Sequence, residues 1–169
     1  AAVSVATVAV LALFDWLLRQ DLDTLAIDEI VARAPDLAAR EASLAQAIAE
    51  PRIAEKARDE LRAKHADPET HRQRLARMVA GWGETRARLR EHLVRQDEMV
   101  AMLRRAGAPA YAADIGVTPE EMLATIRAAA FIRRRYTILD FLHEAGLTEA
   151  AFAAVAPRLS GDNALEASA

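Results

Sequence analysis

The sequence predicts an all-α protein, and three features of its composition and patterning support this fold class. Forty of the 169 residues are alanine, the best helix former, whereas glycine and proline number six each. Apolar residues recur with the helical period of about 3.6, and no segment shows the alternation of a half-buried strand. No repeat of solenoid length is present. We therefore expect a multi-helix bundle over residues 1–158 and a flexible tail over residues 159–169.

The first predicted helix is apolar on all sides. Residues 1–14 carry no charge, yet this stretch is too short to span a bilayer and lacks the basic start of a signal peptide. We expect a buried helix from Ala1 to about Gln20. Because it starts without a capping residue, we interpret the chain as part of a longer one. Two short helices, about 24–33 and 36–49, follow.

The middle of the chain contains several helix start and stop signals. Pro51 begins a helix that runs to about residue 64, and Asp67 caps the next one. Glycines in the run 81–83 predict a break. Beyond it we expect one helix that continues through Leu93 and ends at a glycine cap, Gly107.

The clearest start signal is the Thr-Pro-Glu-Glu sequence at Thr118–Glu121, which is typical of a capping box. The helix after it is expected to reach about Phe141 or beyond and to end at Gly146. Thr148 then opens a last short helix before Pro157.

The residue types present exclude several kinds of site. Without cysteine there is no disulfide, thiolate nucleophile or cysteine metal site, which is compatible with the cytoplasm. No glycine cluster forms a phosphate loop, and no serine lies in a nucleophile elbow. His65 and His71 flank a helix start but are expected to be surface histidines, and His143 is expected to be an imidazolium at a helix C-terminus. We predict no catalytic, cofactor-binding or metal-ligating residue within the chain.

The charge distribution argues against nucleic acid as a partner. The net charge is −3 and the pI is about 5.8. Residues 51–106 carry 14 basic and 9 acidic side chains, but these are interleaved, as on a solvated helix face. An arginine-rich RNA binder is a weaker alternative, which predicts a steep salt dependence of binding.

The densest polar cluster spans residues 132–140. From it we take Arg133, Arg135, Tyr136 and Thr137 as candidates for contact with an anionic group or another domain. On a continuous helix Arg133, Thr137 and Asp140 would share one face. The structural alternative is a surface arginine pair with a Tyr–Asp helix contact.

Three blocks of sequence carry a family resemblance. They are LRRAGAP at 103–109, DIGVTPEE at 114–121 and IRRRYTILD at 132–140. In order and spacing they resemble the C-terminal region of sn-glycerol-1-phosphate dehydrogenases, relatives of iron-type alcohol dehydrogenases, glycerol dehydrogenase and 3-dehydroquinate synthase. Residues 1–7 also resemble the family pattern His-Gly-x-x-Val-x-Val/Ile-Gly-Thr, if His-Gly lies just before Ala1.

The resemblance implies a two-domain enzyme. An N-terminal α/β domain would bind NAD(P), and the helical domain of a dehydroquinate-synthase-like fold would close over a cleft with a divalent metal. The metal would polarise the carbonyl of dihydroxyacetone phosphate or a related phosphorylated polyol or ketone. This chain would be the helical domain alone, inactive without its missing partner domain, with a homo-oligomer left open. The alternative is a stand-alone all-α protein-interaction module without catalysis.

Overall fold

The computed structural model describes residues 1–160, in which every regular element is helical and no strand occurs. The α-helices are α1 (Ala2–Leu17), α2 (Ile27–Arg33), α3 (Leu37–Ala47), α4 (Pro51–Lys64), α5 (Pro68–Ala80), α6 (Trp82–His92), α7 (Gln96–Arg105), α8 (Pro119–Ile132), α9 (Ile138–Glu144) and α10 (Thr148–Leu159). Short 3-10 helices occupy Leu22–Thr24 and Ala112–Ile115. The all-α prediction is confirmed.

The C-terminal end differs from the prediction by a few residues. The last helix, α10, continues through Pro157 to Leu159, so the expectation that it stops before the proline is wrong. Leu159, assigned to the predicted tail, is buried and helical, and the tail beyond Ser160 lies outside the described residues. Among the described helices, none combines the length and the apolar character needed to cross a membrane.

Several predicted helix ends are confirmed by their hydrogen bonds. At the start of α8, the Thr118 N–H donates to the Glu121 carboxylate over 2.8 Å, and the Glu121 N–H donates to the Thr118 hydroxyl over 3.2 Å. Before α5, the Asp67 carboxylate accepts the Thr70 N–H over 2.9 Å. Gly107 follows α7 with φ of 66°, a left-handed conformation that glycine adopts without strain. Local capping chemistry therefore sets these boundaries.

Tertiary contacts divide the helices into two compact units. The first comprises Ala1–Asp21, Gly81–Leu123 and the described residues from Glu149 onward, and in it α1 packs against α7. The second comprises Leu22–Ala80 and Ala124–Thr148. In this second unit α2 packs against α5, and α3 packs against α4.

The first unit is built around α1. Its buried residues are Val5, Val8, Ala9, Leu11, Ala12, Leu13 and Leu17. The helix ends at Leu17, slightly before the predicted end near Gln20. Alanines occupy much of the interior of this unit, each with at most 1% of its surface exposed: Ala9, Ala12, Ala110, Ala112 and Ala151. These alanines lie among larger buried side chains, such as Leu13, Trp82 and Phe152.

The second unit has its own hydrophobic core. Leu44 of α3, Ala57 and Leu61 of α4 and Phe131 of α8 form one buried cluster. Burying each large side chain of this kind stabilises the fold by about 1.5–3 kcal/mol. The cluster holds α3, α4 and the end of α8 together and thereby fixes the polar side chains described below.

The single helix predicted through Leu93 is wrong, because two helices form there. Leu93 adopts extended backbone (φ −90°, ψ 131°) after α6, and α7 begins at Gln96. The Asp15 carboxylate, on α1, accepts the Gln96 N–H over 3.2 Å and also pairs with Arg158 over 3.2 Å. A helix start needs acceptors for its free N–H groups, and here the acceptor is distant in sequence.

The helix predicted from Thr118–Glu121 to about Phe141 is also wrong. The helix α8 ends at Ile132, and α9 begins only at Ile138. Between them Thr137 is extended, and its N–H and hydroxyl both donate to the Asp140 carboxylate over 2.9 Å. This side-chain cap starts α9 anew, although the apolar period continues across the break.

Candidate functional site

An open groove on the second unit concentrates positive charge, and we call it the cationic groove. Its polar lining consists of Arg52, Lys56 and Glu60 of α4 and Arg133, Arg134 and Arg135 after α8. The Arg134 guanidinium pairs with Glu60 over 3.1 Å, which neutralises that carboxylate. Arg133 and Arg135 are exposed and form no ion pair with any residue from 1 to 160. The groove therefore presents unpaired cations to solvent.

The four residues predicted to contact a ligand or domain lie in two places. Arg133 and Arg135 line the cationic groove. Tyr136 lines a different cavity of the same unit, and Thr137 is the capping residue of α9. The structure thus keeps the two arginines together and separates them from the tyrosine and the threonine. Their proposed role at a cleft or domain interface stays a prediction.

Two details of that sequence interpretation are wrong. Because the segment after α8 is not helical, Arg133, Thr137 and Asp140 do not share a helix face. The expected contact between Tyr136 and Asp140 does not form. The Tyr136 hydroxyl donates to the Glu144 carboxylate over 2.8 Å, and Asp140 accepts a hydrogen bond from the Thr137 hydroxyl. Burial and the neighbouring Glu144 carboxylate raise the pKa of Tyr136 above its ordinary value, so it remains a neutral donor.

The second unit also contains a small cavity of about 160 Å³, which we call the polar cavity. Its basic lining groups are Arg40, Lys64, His65, His71 and His143, and its acidic groups are Asp36, Asp140 and Glu144. These side chains come from α3 and the residue before it, from α4 and the residue after it, from α5 and from α9. Four separate segments of the chain therefore converge on one partly open polar space.

Two of the three carboxylates of the polar cavity are paired with cations, and the third, Asp36, accepts the Ala39 N–H at the start of α3. The Lys64 ammonium lies 2.6 Å from Asp140, with side-chain exposures of 11% and 7%, and also donates to the carbonyl of Ala130. The Arg74 guanidinium lies 2.9 Å from Glu144. Buried carboxylates are stable only when paired and hydrogen-bonded in this way.

The histidines of the cavity contradict the expectations from sequence. His71 is buried, and its Nε2 lies 2.7 Å from the carbonyl oxygen of Glu144. Because a carbonyl only accepts, Nε2 carries the proton. Burial, helped by Arg40 and by His71 itself, lowers the pKa of His143 to about 4. His71 is therefore not a surface histidine, and His143 is a neutral imidazole near pH 7 rather than an imidazolium.

Arg40 is the cation of the polar cavity without a carboxylate in contact. Its guanidinium carbon lies 5.5 Å from the centroid of the Phe131 ring. Burial lowers the pKa of Arg40, an effect opposed by Asp140 and Glu144, but an arginine stays charged in either case. Within residues 1–160 it makes no hydrogen bond or ion pair. Its donors are therefore available to something in the cavity.

The described residues offer no ligand set for the metal that the family resemblance implies. No three His, Asp or Glu side chains among residues 1–160 converge as a ligand set. In the polar cavity Asp140 is paired with a lysine and Glu144 with an arginine.

Sequence reasoning missed the polar cavity because its members are scattered. Arg40 and Lys64 lie on different helices, and neither stands in a motif. The available signals were weak: His65 directly follows Lys64, and His71 follows the same helix start. Only tertiary packing brings Arg40 to these groups.

Comparison with known proteins adds no relative: no protein-family model, no curated protein and no solved structure matches this chain.

Proposed function

We propose that this chain is the helical domain of a metal-dependent NAD(P) oxidoreductase resembling sn-glycerol-1-phosphate dehydrogenases, which reduce dihydroxyacetone phosphate to glycerol 1-phosphate. In this proposal a separate N-terminal domain supplies the dinucleotide site and the metal ligands, and the whole enzyme acts in the cytoplasm. The order of the blocks 103–109, 114–121 and 132–140 supports it. The helical fold of residues 1–160 is compatible with the domain that the resemblance implies.

The cationic groove is the observation that carries the proposal. Arg133 and Arg135 belong to the third block, and both are exposed without an ion pair to the described residues. A domain that holds a dinucleotide and a phosphorylated substrate offers negative charge to such a surface. Opposite charges about 4 Å apart attract by about 1 kcal/mol in bulk water, and by more where a partner excludes water. The two arginines are therefore suited to contact that domain or its ligands.

The residues that follow give the arginines a fixed support. Thr137 caps α9, and the Tyr136 hydroxyl is bonded to Glu144. The segment is thereby held at its C-terminal end, while Arg133 and Arg135 extend from it into the groove. In the proposed enzyme Tyr136 and Thr137 position the arginines and do not touch the substrate.

The coding sequence upstream of Ala1 gives the first test. We expect a glycine-rich nucleotide loop, then an aspartate and a histidine as metal ligands, and finally a His-Gly pair directly before Ala1. A start codon immediately before Ala1 would contradict the proposal.

Steady-state kinetics of the complete enzyme give the second test. The double variant Arg133→Ala/Arg135→Ala should raise the KM for dihydroxyacetone phosphate or NAD(P)H about tenfold, equivalent to about 1.4 kcal/mol of lost binding. Its unfolding free energy should change by less than about 0.5 kcal/mol, because both side chains are exposed. The matched control is Arg33→Ala, which removes an exposed arginine paired with Glu29 and should leave KM unchanged. Unchanged KM in the double variant would remove the role of these arginines.

A stand-alone interaction module is the second candidate function, and apolar residues beside the same arginines favour it. Ile53 and Ile132 line the groove and are 48% and 43% exposed. Exposed apolar groups next to arginines are typical of protein–protein interfaces. A native start codon before Ala1 would decide for this candidate and against the dehydrogenase.

A further inference from the structure

The lining of the cationic groove contains five cations and one carboxylate. That carboxylate, Glu60, is paired with Arg134. The four other cations form no ion pair with any residue that the structure describes, and they are Arg52, Lys56, Arg133 and Arg135. All four side chains are exposed. The groove therefore offers four cations to an anionic occupant.

Other carboxylates at the start of α4 do not neutralise these cations by contact. Glu55 and Asp59 lie on the same helix but do not line the groove. The Glu50 carboxylate accepts the Ile53 N–H over 2.7 Å as the N-cap of α4. Within residues 1–160 none of these three carboxylates forms an ion pair with a cation of the groove.

Apolar side chains lie among the cations of the groove. Five large apolar side chains are exposed among the described residues, and two of them, Ile53 and Ile132, line this groove. Covering them would remove apolar surface from water, which favours binding in addition to the attraction between charges. A small inorganic anion would leave both isoleucines uncovered, so the groove is suited to a larger occupant with apolar groups of its own.

The spacing of the cations on α4 suits a helical occupant. Arg52 and Lys56 are four residues apart, so they lie on neighbouring turns and about 6 Å apart along the helix axis. Carboxylates four residues apart on another helix have the same spacing. Ile53 stands next to Arg52, and Ile132 stands next to Arg133 at the end of α8, so each side of the groove combines a cation with an isoleucine.

We propose that the cationic groove binds an acidic amphipathic segment of another polypeptide, in which carboxylates flank apolar side chains. The carboxylates pair with the four cations, and the apolar side chains cover Ile53 and Ile132. Helix-in-groove recognition of this kind needs apolar anchors on one face of the bound segment, and flanking charges fix its position.

Nucleic acid and lipid surfaces match the groove less well. None of the described residues that line it is aromatic, so unpaired bases would find no ring on which to stack. A lipid surface is broad, and apolar side chains that enter it normally project from a helix face rather than line a groove.

The inference rests on the proposed function only in taking the cationic groove as a contact surface, and it adds the chemistry of the partner. The two can fail separately. Peptide binding without a dehydrogenase domain upstream would leave the groove with a different protein partner. A dehydrogenase domain upstream without peptide binding would leave the arginines to contact its ligands.

Fluorescence anisotropy with a labelled synthetic peptide tests the proposal on the 169-residue chain. The probe is an alanine-based helical peptide of about four turns, with glutamates four residues apart on both sides of a leucine stripe. We expect saturable binding with a Kd of about 100 µM or tighter at low salt. One control peptide replaces every glutamate by glutamine and another replaces every leucine by serine, and each should bind at least about tenfold more weakly.

Reversing one charge of the groove gives the matched test on the chain itself. Lys56→Glu should weaken binding of the acidic probe at least about tenfold, because an attraction becomes a repulsion. Arg58→Glu makes the same change of charge on the same helix at a side chain that does not line the groove, and it should bind the probe as the parent chain does. Circular dichroism checks that both variants keep their helix content.

Methyl resonances of the unaltered chain give a readout that does not depend on the folding of any variant. On addition of the probe, the Ile53 and Ile132 methyl groups should shift, whereas that of buried Ile138 should not. A single-stranded oligonucleotide and phosphatidylserine vesicles serve as competitors, and neither should displace the probe at equal concentration of negative charge.

Four results would each overturn the proposal. They are equal binding of the probe and either control peptide, equal affinity in Lys56→Glu and Arg58→Glu, a shift at Ile138 as large as that at Ile53, and displacement of the probe by the oligonucleotide or the vesicles.

Discussion

Lys64 offers a direct test of how the second unit is held together, because it is the charge partner of buried Asp140. The substitution Lys64→Met keeps the length and the apolar stem of the side chain but leaves the carboxylate unpaired. The two charged groups lie 2.6 Å apart with side-chain exposures of 11% and 7%. Removing one partner of a buried pair costs about 3–5 kcal/mol. Asp140 keeps two hydrogen bonds from Thr137, so we expect the lower value, about 3 kcal/mol.

Urea unfolding followed by circular dichroism near neutral pH measures this loss. In thermal unfolding of a chain of this size, a loss of about 3 kcal/mol corresponds to a Tm lowered by about 6–12 °C. The control Arg33→Met removes an exposed pair, with side-chain exposures of 79% and 64%, and should cost only about 0.3–0.5 kcal/mol. The double variant Lys64→Met/Asp140→Asn should recover part of the stability, because no charge is left buried. A loss below about 1 kcal/mol for Lys64→Met would refute the view that this pair is shielded from water.

Two further predictions concern stability. Because the pKa of His143 is about 4 in the folded chain against an ordinary 6.5, protonation favours the unfolded chain. The contribution of neutral His143 to the free energy of unfolding is therefore fully present above about pH 6.5 and falls as the pH approaches 4, with a loss of about 2 kcal/mol at about pH 5. Urea unfolding across this range should give a flatter pH profile for His143→Gln than for the unaltered chain. Identical profiles would contradict the lowered pKa of His143. Gly107→Ala should cost about 1 kcal/mol because of its φ of 66°, whereas Gly83→Ala, with open space around the new methyl group, should stabilise α6 by about 0.5 kcal/mol. Equal Tm changes in these two variants would show that backbone conformation does not decide the outcome.

Helix boundaries were predictable where the signal is local. The capping boxes and glycine ends need only neighbouring residues, as at Thr118 and Gly107, and the break at Gly81 follows from the glycine itself. The break after His92 could not be predicted in this way. It is stabilised by Asp15, an acceptor supplied by a distant helix.

The candidate site likewise has a part that local sequence predicts and a part that depends on tertiary packing. Arg133 and Arg135 stand together in the sequence, and their exposure follows from the density of arginine there. The polar cavity has no such signature, because Arg40, Lys64 and His143 come from three different segments. The depressed pKa of His143 is likewise a property of burial, which no short pattern encodes.

The fully buried alanines of the first unit give its core a mutational asymmetry. Trimming an alanine such as Ala12 or Ala151 removes a single methyl group, whereas enlarging it inserts carbon atoms at a position with no surface open to solvent. Neutral sequence drift in this unit should therefore exchange alanine for glycine or serine far more readily than for valine or leucine. At these positions the small size of the side chain is what natural variation has to preserve.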